Sequence, residues 1–412
     1  MRIAYVCADR GVPVFGQKGC SIHVQEVIRS LQRQGARVEL FATRTDGIPT
    51  PDLEAVTVHK LPSIPKGERE VREQASLAAN HGLRQALEQE GPFDLIYERY
   101  SLWSFAGMDY AQVVGVPGLL EVNAPLIQEQ EKHRGLVDRA SAEQVAERVF
   151  RAATTLIAVS EEIKTYLEGY LGAEQRVHVV PNGVNLDRFS GDVRPLLSPS
   201  PGTFTVGFMG TLKPWHGLPI LVEAFDRLRQ HGSNTRLLIV GDGPERETLV
   251  ANLSSRGLVE TVHLTGAVPP DHIPGWLAAM DVAVAPYPDQ TDFYFSPLKI
   301  YEYMAAGLPV VTSRIGQLTT VIKHGVNGLL CPPGDVVALA EALGRLQRSP
   351  EFSARLGQLA RETMRQNHSW DKVARRILHL AGLTPRPQIC LRRLLCSPAP
   401  DADCRSRSQS RC

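Results

Sequence analysis

Residues 3–34, IAYVCADRGVPVFGQKGCSIHVQEVIRSLQRQ, decide the fold class. The run 3–8 (IAYVCA) reads as a buried strand and 9–21 as a glycine-bearing loop. Val24, Val27, Ile28 and Leu31 then recur at i, i+3, i+4 and i+7, which predicts a helix over 22–34. Ser21 stands where it can cap that helix and Gly35 where it can end it. A second β-branched run follows at 37–43 (RVELFAT), and strand, helix, strand in this order is the unit of a parallel sheet covered by helices.

The alternation continues outward from that unit. A charged segment near 66–90 reads as a helix, and strands are expected near 93–98 and 116–122. Residues 190–203 (SGDVRPLLSPSPGT) lose all periodicity, as an interdomain connection does. The pattern then restarts with strand 205–210 (TVGFMG), helix 218–230 and strand 236–241, and further strands are expected at 261–266, 282–287, 309–313 and 327–332. A chain of 412 residues exceeds what one core serves. The expected class is therefore α/β, with two doubly wound Rossmann-like domains, 1–190 and 203–366, facing a cleft lined by the loops after the strands.

Composition narrows the function. Lys and Arg number 45 against 44 for Asp and Glu, so no global field steers the protein to nucleic acid, and any anion site must be local. The start, MRIAYVCADRGV, runs straight into a strand and reads as that of a cytoplasmic protein. Lys66, Arg69 and Arg72 offer peripheral contact with the inner face of a membrane, but Glu68, Glu70 and Glu73 in the same segment favour a solvated helix. Cys7, Cys20 and Cys331 are scattered and read as apolar fillers, and no cysteine pair has metal-ligand spacing. Past residue 383, where Cys390, Cys396, Cys404 and Cys412 fall, disorder is expected; the triplet Asp401-Ala402-Asp403 there is given no role.

Two loops carry the chemistry. Gly210-Thr211-Leu212-Lys213-Pro214-Trp215-His216-Gly217 follows a strand and opens a helix, so its amides face an anion and Lys213 and His216 add charge. Alone, the segment reads equally well as an ordinary turn with a solvated lysine. The second loop, Phe293-Tyr294-Phe295-Ser296-Pro297-Leu298-Lys299, leads into another helix start. The amides of Leu298 and Lys299 suit a phosphate, and Glu302, one turn in, suits the two hydroxyls of a ribose.

With these loops in order, the chain resembles the retaining glycosyltransferases of family 4, which have the GT-B fold. The resemblance covers residues 1–382 and rests on FGQKGCSIHVQEV, IAVSEEIKTYLEGY, VPNGVNLDRF, GTLKPWHGLPILVEAF, LLIVGDGPERETL and PLKIYEYMAAGLPVV. It implies that Glu302 binds the donor ribose and that Pro297, Leu298 and Lys299 hold the diphosphate with Gly210 and Thr211. Gly16 and Gly19 belong to the glycine loop across the cleft, and Asn182 and Gly183 to the turn that closes one domain on the other. Trp370 and the helix 369–382 cross back to the first domain.

Three departures from the family pattern stand out. Tyr294 occupies the slot of the first glutamate of the Glu-x7-Glu motif, so sugar contacts fall to backbone groups and Ser296. Thr211 and His216 replace the arginine and lysine of the phosphate loop, with Lys213 near enough to supply charge; His216 is expected to be cationic once a diphosphate is bound. Asn123, in LEVNAPL, replaces the histidine of the first domain. An amide is no general base, but it can orient an acceptor or bond a sugar hydroxyl.

The expected reaction moves a sugar from a nucleoside diphosphate sugar to a glycan, lipid-linked or small-molecule acceptor. Lys213, His216 and the helix-start amides would stabilise the leaving diphosphate. No cofactor is required by this scheme, and no carboxylate cluster supports magnesium. Glu121, Glu129, Glu131 and Arg99 serve either the acceptor or the structure. The rivals are an inactive nucleotide-sugar-binding protein and a sugar-nucleotide epimerase, for which no carboxylate pair is evident.

Overall fold

The computed structural model describes residues 1–198, 200–230, 234–290 and 293–384. The tail cysteines and the 401–403 triplet lie outside these residues. In the first domain the strands are β1 (Arg2–Cys7), β2 (Arg37–Ala42), β3 (Thr57–Lys60), β4 (Leu95–Arg99), β5 (Gly118–Val122), β6 (Thr155–Ala158) and β7 (Val177–Val179). They form one parallel sheet in the order β3-β2-β1-β4-β5-β6-β7. The second domain holds β8 (Phe204–Met209), β9 (Thr235–Val240), β10 (Val262–Leu264), β11 (Val282–Ala285), β12 (Val310–Ser313) and β13 (Leu329–Cys331). Their order is β10-β9-β8-β11-β12-β13, again parallel.

Both sheets are buried on both faces, which is why their strands read as unbroken apolar runs. Ile3, Tyr5 and Cys7 of β1 point into one core, while Ala4 and Val6 point into the other. The second sheet is divided in the same way. In each sheet the chain winds one way, then returns to the middle and winds the other, between β1 and β4 and between β8 and β11. At these switch points neighbouring loops leave in opposite directions, and a crevice opens at the carboxyl ends of the strands.

Local readings needed amendment. The first helix runs Gly19–Arg33, so Ser21 lies inside it, fully buried, and Lys18 stands at the cap without a side-chain bond. Gly35 does end it, at φ 82°. Strands β3, β6 and β7, three or four residues long, went unread from the sequence. The connection 190–203 is anchored to the second domain: the Leu196 amide donates to the Gly275 carbonyl at 3.0 Å, and Leu197 packs on that domain's core.

The chain recrosses at its end. Helix Pro350–Asn367 stays with the second domain, where Arg361 donates to the Phe189 carbonyl at 2.9 Å. Helix Trp370–Leu380 then packs Trp370, Ala374, Ile377 and Leu378 into the first domain's core beside helix Gly19–Arg33. Among the described residues no helix is long and apolar enough to cross a membrane.

Candidate functional site

The loop after β8 turns at Gly210, runs through a short 3-10 turn, Pro214–His216, and enters helix Leu218–Gln230 only after Gly217. Gly217 has φ 67°, and a Cβ there would lie 1.7 Å from the Pro286 carbonyl oxygen. Only glycine lets the two loops flanking the β8/β11 switch meet so closely. His216 Nδ1 sits 2.6 Å from the Thr211 carbonyl, to which it must donate, so Nε2 is left as the acceptor. Burial first, then the charge of Lys299, pushes this imidazole down to about 3. In the ligand-free site His216 is therefore neutral, opposite to the direction expected for the donor complex.

A cation from outside the loop, Lys299, whose amide alone was singled out, stands against it. Lys299 Nζ lies 2.8 Å from where a Cβ on Gly210 would stand and 4.4 Å from the centre of the Phe208 ring. It is buried without a hydrogen-bond partner among the described residues. Burial pulls its ammonium down to about 7, against the pull of Glu302. Lys213, by contrast, extends over the Trp215 ring at 5.5 Å.

Lys299 is the second residue of helix Leu298–Ala305, whose cap, Pro297, supplies no side-chain bond. Its first amides point outward from a helix start, where the dipole favours an anion. Glu302, one turn on, receives Arg188 Nη1 on Oε1 at 2.7 Å, and Arg188 Nη2 also donates to the Pro270 carbonyl at 2.6 Å. Burial raises the Glu302 carboxyl, with Arg188 opposing. Arg188 was legible in VPNGVNLDRF as a basic residue just past the turn, but nothing in the sequence paired it with Glu302.

Asn182 and Gly183 form the joint between the domains. Asn182 Nδ2 donates to the Ser296 carbonyl at 2.7 Å and its amide to Ser296 Oγ at 3.3 Å. Ser296 thereby takes part in the joint between the domains. A Cβ on Gly183 would lie 2.7 Å from the Trp370 amide nitrogen, so the turn and the recrossing helix touch backbone to backbone. Tyr294, in the slot of the missing glutamate, also bridges the domains: its hydroxyl donates to Glu129 at 3.3 Å and its carbonyl accepts from Ser160 at 3.0 Å.

On the first domain's side, Gly16 lies in the loop after β1, its carbonyl held by Gln25 Nε2 at 2.9 Å, and Gly19 opens the helix with nothing within 4 Å of a Cβ position. Asn123 follows β5, and its Nδ2 is shielded from solvent without a partner among the described residues. Glu121 and Arg99 are internal. His23 Nε2 donates to Glu121 at 2.7 Å, Tyr97 donates to the other carboxylate oxygen at 2.7 Å, and Arg99 reaches His23 Nδ1 at 3.3 Å. His23 is pushed down to about 4 by burial and stacks on Trp370 at 5.2 Å, so this network ties β4 and β5 to the recrossing helix and leaves Glu121 none for an acceptor. Glu131 pairs with Arg139 at 2.5 Å on the surface. Cys7 and Cys331 are buried, their thiols pushed up to about 12 and about 11. Glu39, His59 and Glu90 come together near the start of β1, where Arg2 already holds Glu39 at 2.7 Å.

The loops that meet at the two switch points carry matching family signatures. Residues 18–188 match the model described as Glycosyltransferase Family 4, and residues 203–349 match Glycosyl transferases group 1. A D-inositol 3-phosphate glycosyltransferase of Acidothermus cellulolyticus is 31% identical over 405 residues, covering 90% of this chain and 85% of its own. The chain belongs to glycosyltransferase family 4. Another relative of this family 4 glycosyltransferase, the 2-deoxystreptamine glucosyltransferase of Streptomyces kanamyceticus, is 29% identical over 352 residues, 80% of this chain and 89% of that one. The crystal structure of Anabaena Alr3699/HepE in complex with UDP superposes with a TM-score of 0.69 at 21% identity, covering 93% of this chain and 100% of that chain. The architecture of this family 4 protein is thus GT-B.

Proposed function

We propose that this enzyme transfers a sugar from a UDP-sugar to a hydroxyl of a small polyol, with retention at the anomeric carbon and without a metal. One observation carries the proposal: the unpartnered ammonium of Lys299 and the uncapped start of its own helix converge beside Gly210, with Glu302 one turn away. That places a cation and amides for a diphosphate next to a carboxylate for a ribose. Uridine is chosen because the neighbouring Anabaena structure is named as a UDP complex, and a polyol because two relatives are named for cyclitol acceptors.

In the reaction, the bond between the anomeric carbon and the diphosphate oxygen breaks as charge builds on the diphosphate. Lys299 and the amides of Leu298 and Lys299 stabilise that charge. The acceptor oxygen bonds to the anomeric carbon on the same face, and its proton passes to a diphosphate oxygen. Asn123 donates its free Nδ2 to a sugar hydroxyl and acts as no base. Pro297, Thr211 and Gly210 shape the walls, and Gly16 and Gly19 allow the acceptor side to approach.

His216 and Lys299 compete for the proton that the diphosphate attracts, and magnitudes decide. With its imidazole pushed down to about 3, protonating His216 at pH 7 asks the ligand for roughly 5 kcal/mol, whereas Lys299, at about 7, is already half protonated there. Lys299 carries the charge, and His216 stays neutral with Nε2 able to accept a hydroxyl. Calorimetry with a panel of nucleoside diphosphate sugars, followed by NMR of the product's anomeric configuration, tests the whole. An enzyme that binds no such donor, or that yields the inverted anomer, sinks it.

A further inference from the structure

The helix that carries Glu302 does not by itself keep the carboxylate charged. Burial penalises the negative charge, and a second carboxylate adds to the penalty. Glu26 faces it from helix Gly19–Arg33 of the first domain, with Oε1 held by Arg29 at 2.9 Å and Oε2 buried without a partner among the described residues. Against both stands Arg188, which does more to hold the carboxyl down than Lys299 does from the preceding turn.

The surrounding sequence places Arg188 firmly. Asn185 caps the 3-10 turn Leu186–Phe189, accepting the Asp187 amide at 3.2 Å. Phe189 is buried in the second domain's core, and Arg361 of helix Pro350–Asn367 donates to its carbonyl at 2.9 Å. From this fixed turn the Arg188 guanidinium spans two acceptors, Glu302 Oε1 at 2.7 Å and, in the loop after β10, the Pro270 carbonyl at 2.6 Å. A planar fork set on two acceptors leaves the carboxylate little freedom to turn. No described residue donates to Glu302 Oε2, and 17% of the side-chain surface stays open, so one edge of the carboxylate is left for a ligand. An exposed ion pair would matter little, but here loss of the cation leaves a largely covered carboxylate facing Glu26.

Resting on the donor reading above, we infer that Arg188 is a positioning residue for the ribose: it clamps Glu302 to the Pro270 loop so that the carboxylate meets both ribose hydroxyls. A carboxylate accepts from two hydroxyls, whereas a carboxylic acid presents a donor where the second acceptor is needed. The clamp stands six residues past Asn182, on the segment that joins the domains, so recognition of the ribose depends on a residue outside both phosphate loops.

Calorimetry comparing UDP with 2′,3′-dideoxy-UDP tests this, because the diphosphate and Lys299 are common to both and only the hydroxyls differ. In the parent protein the preference for UDP should hold near pH 7 and fall only in acid. In Arg188→Ala it should drop at least about fivefold at pH 6 and recover as pH rises, because a carboxyl raised by burial with its cation removed is neutral at low pH and ionised at high pH. Arg188→Lys keeps the charge and should restore the preference to within about threefold of the parent, which guards against misfolding of the alanine variant. In the ligand-free protein, a carbon NMR titration of the Glu302 carboxyl should move upward in Arg188→Ala and stay near the parent's in Arg188→Lys. An unchanged preference, equal weakening of both nucleotides, no rescue by lysine, or an unmoved titration overturns the inference. A parent protein that binds neither nucleotide overturns the donor reading instead, and the ligand-free titration still judges the clamp.

Discussion

Replacing Lys299 by methionine separates stability from function in opposite directions. The ammonium is buried without a partner and held at about 7 by that burial, against an ordinary value of 10.5. Because the folded value lies below the unfolded one, this lysine favours folding least at low pH, and its cost disappears only as pH rises toward the unfolded value. At pH 7 the difference amounts to up to about 4 kcal/mol, so Lys299→Met should unfold at higher denaturant concentration than the parent enzyme. Donor binding should move the other way, since the lost charge contact with a diphosphate is worth about 2–4 kcal/mol, or roughly 30- to 1000-fold. In the parent enzyme only the ammonium form favours the diphosphate, so affinity for UDP-glucose should be level below pH 7 and fall above it. Between pH 6 and 8.5 the expected fall is about thirtyfold, and the variant should show none. Calorimetry at pH 7 in buffers of different ionisation enthalpy should record uptake of about half a proton per donor bound. In the same complex, nitrogen NMR should show the His216 ring neutral. Flat affinity across the pH range, or a variant that binds UDP-glucose as well as its parent, would refute the reasoning.

The other elements of the site make separate predictions. Glu302→Ala should weaken UDP about tenfold to a hundredfold but leave 2′,3′-dideoxy-UDP nearly unaffected, because charged hydrogen bonds to two hydroxyls are what is lost; equal losses for both nucleotides would deny that the carboxylate holds the ribose. Gly217→Ala should lower stability in denaturant titrations by at least about 2 kcal/mol, given the 1.7 Å approach of the Pro286 carbonyl, and wild-type unfolding would refute it. Glu98, pushed up to about 7 by burial, favours folding when protonated, so its contribution is present below its unfolded value and lost as pH rises through 7. Glu98→Gln should therefore match the parent at pH 4 and exceed it by up to about 3 kcal/mol at pH 8.5, and parallel stability curves would exclude that assignment.

The fold was legible because buried parallel strands are written as local apolar runs and helices as a local period. IAYVCA and the 24, 27, 28, 31 spacing needed no knowledge of the rest of the chain. Of the unread strands, Thr57–Lys60 and Val177–Val179 lie at the two edges of their sheet, where few residues are buried and the signal shrinks, while Thr155–Ala158 is interior and fully buried. Site residues divide along the same line. Pro297, Leu298, Lys299 and Glu302 could be singled out because a helix start and the turn after it are sequence-local. Arg188 was missed because its partner is 114 residues away, and His23 because its tautomer depends on Glu121 and Arg99 from two other strands.

The charge that seemed missing from the phosphate loop shows why position alone misleads. Thr211 and His216 stand where cations were expected, and Lys213 was assigned the deficit because it is nearest in sequence. In space the β8/β11 switch brings the loop against the helix that follows β11, and Lys299 reaches Gly210 from there. The electrostatic requirement belongs to the crevice and not to one segment, so a cation can be supplied by whichever strand end borders it. Lys299 sits deeper than a loop cation would, among Phe208 and Tyr287, and that depth is what lowers its affinity for a proton. On the proposed donor reading, a site arranged this way would gain its full charge only when the diphosphate arrives, so that donor binding and proton uptake would be one event.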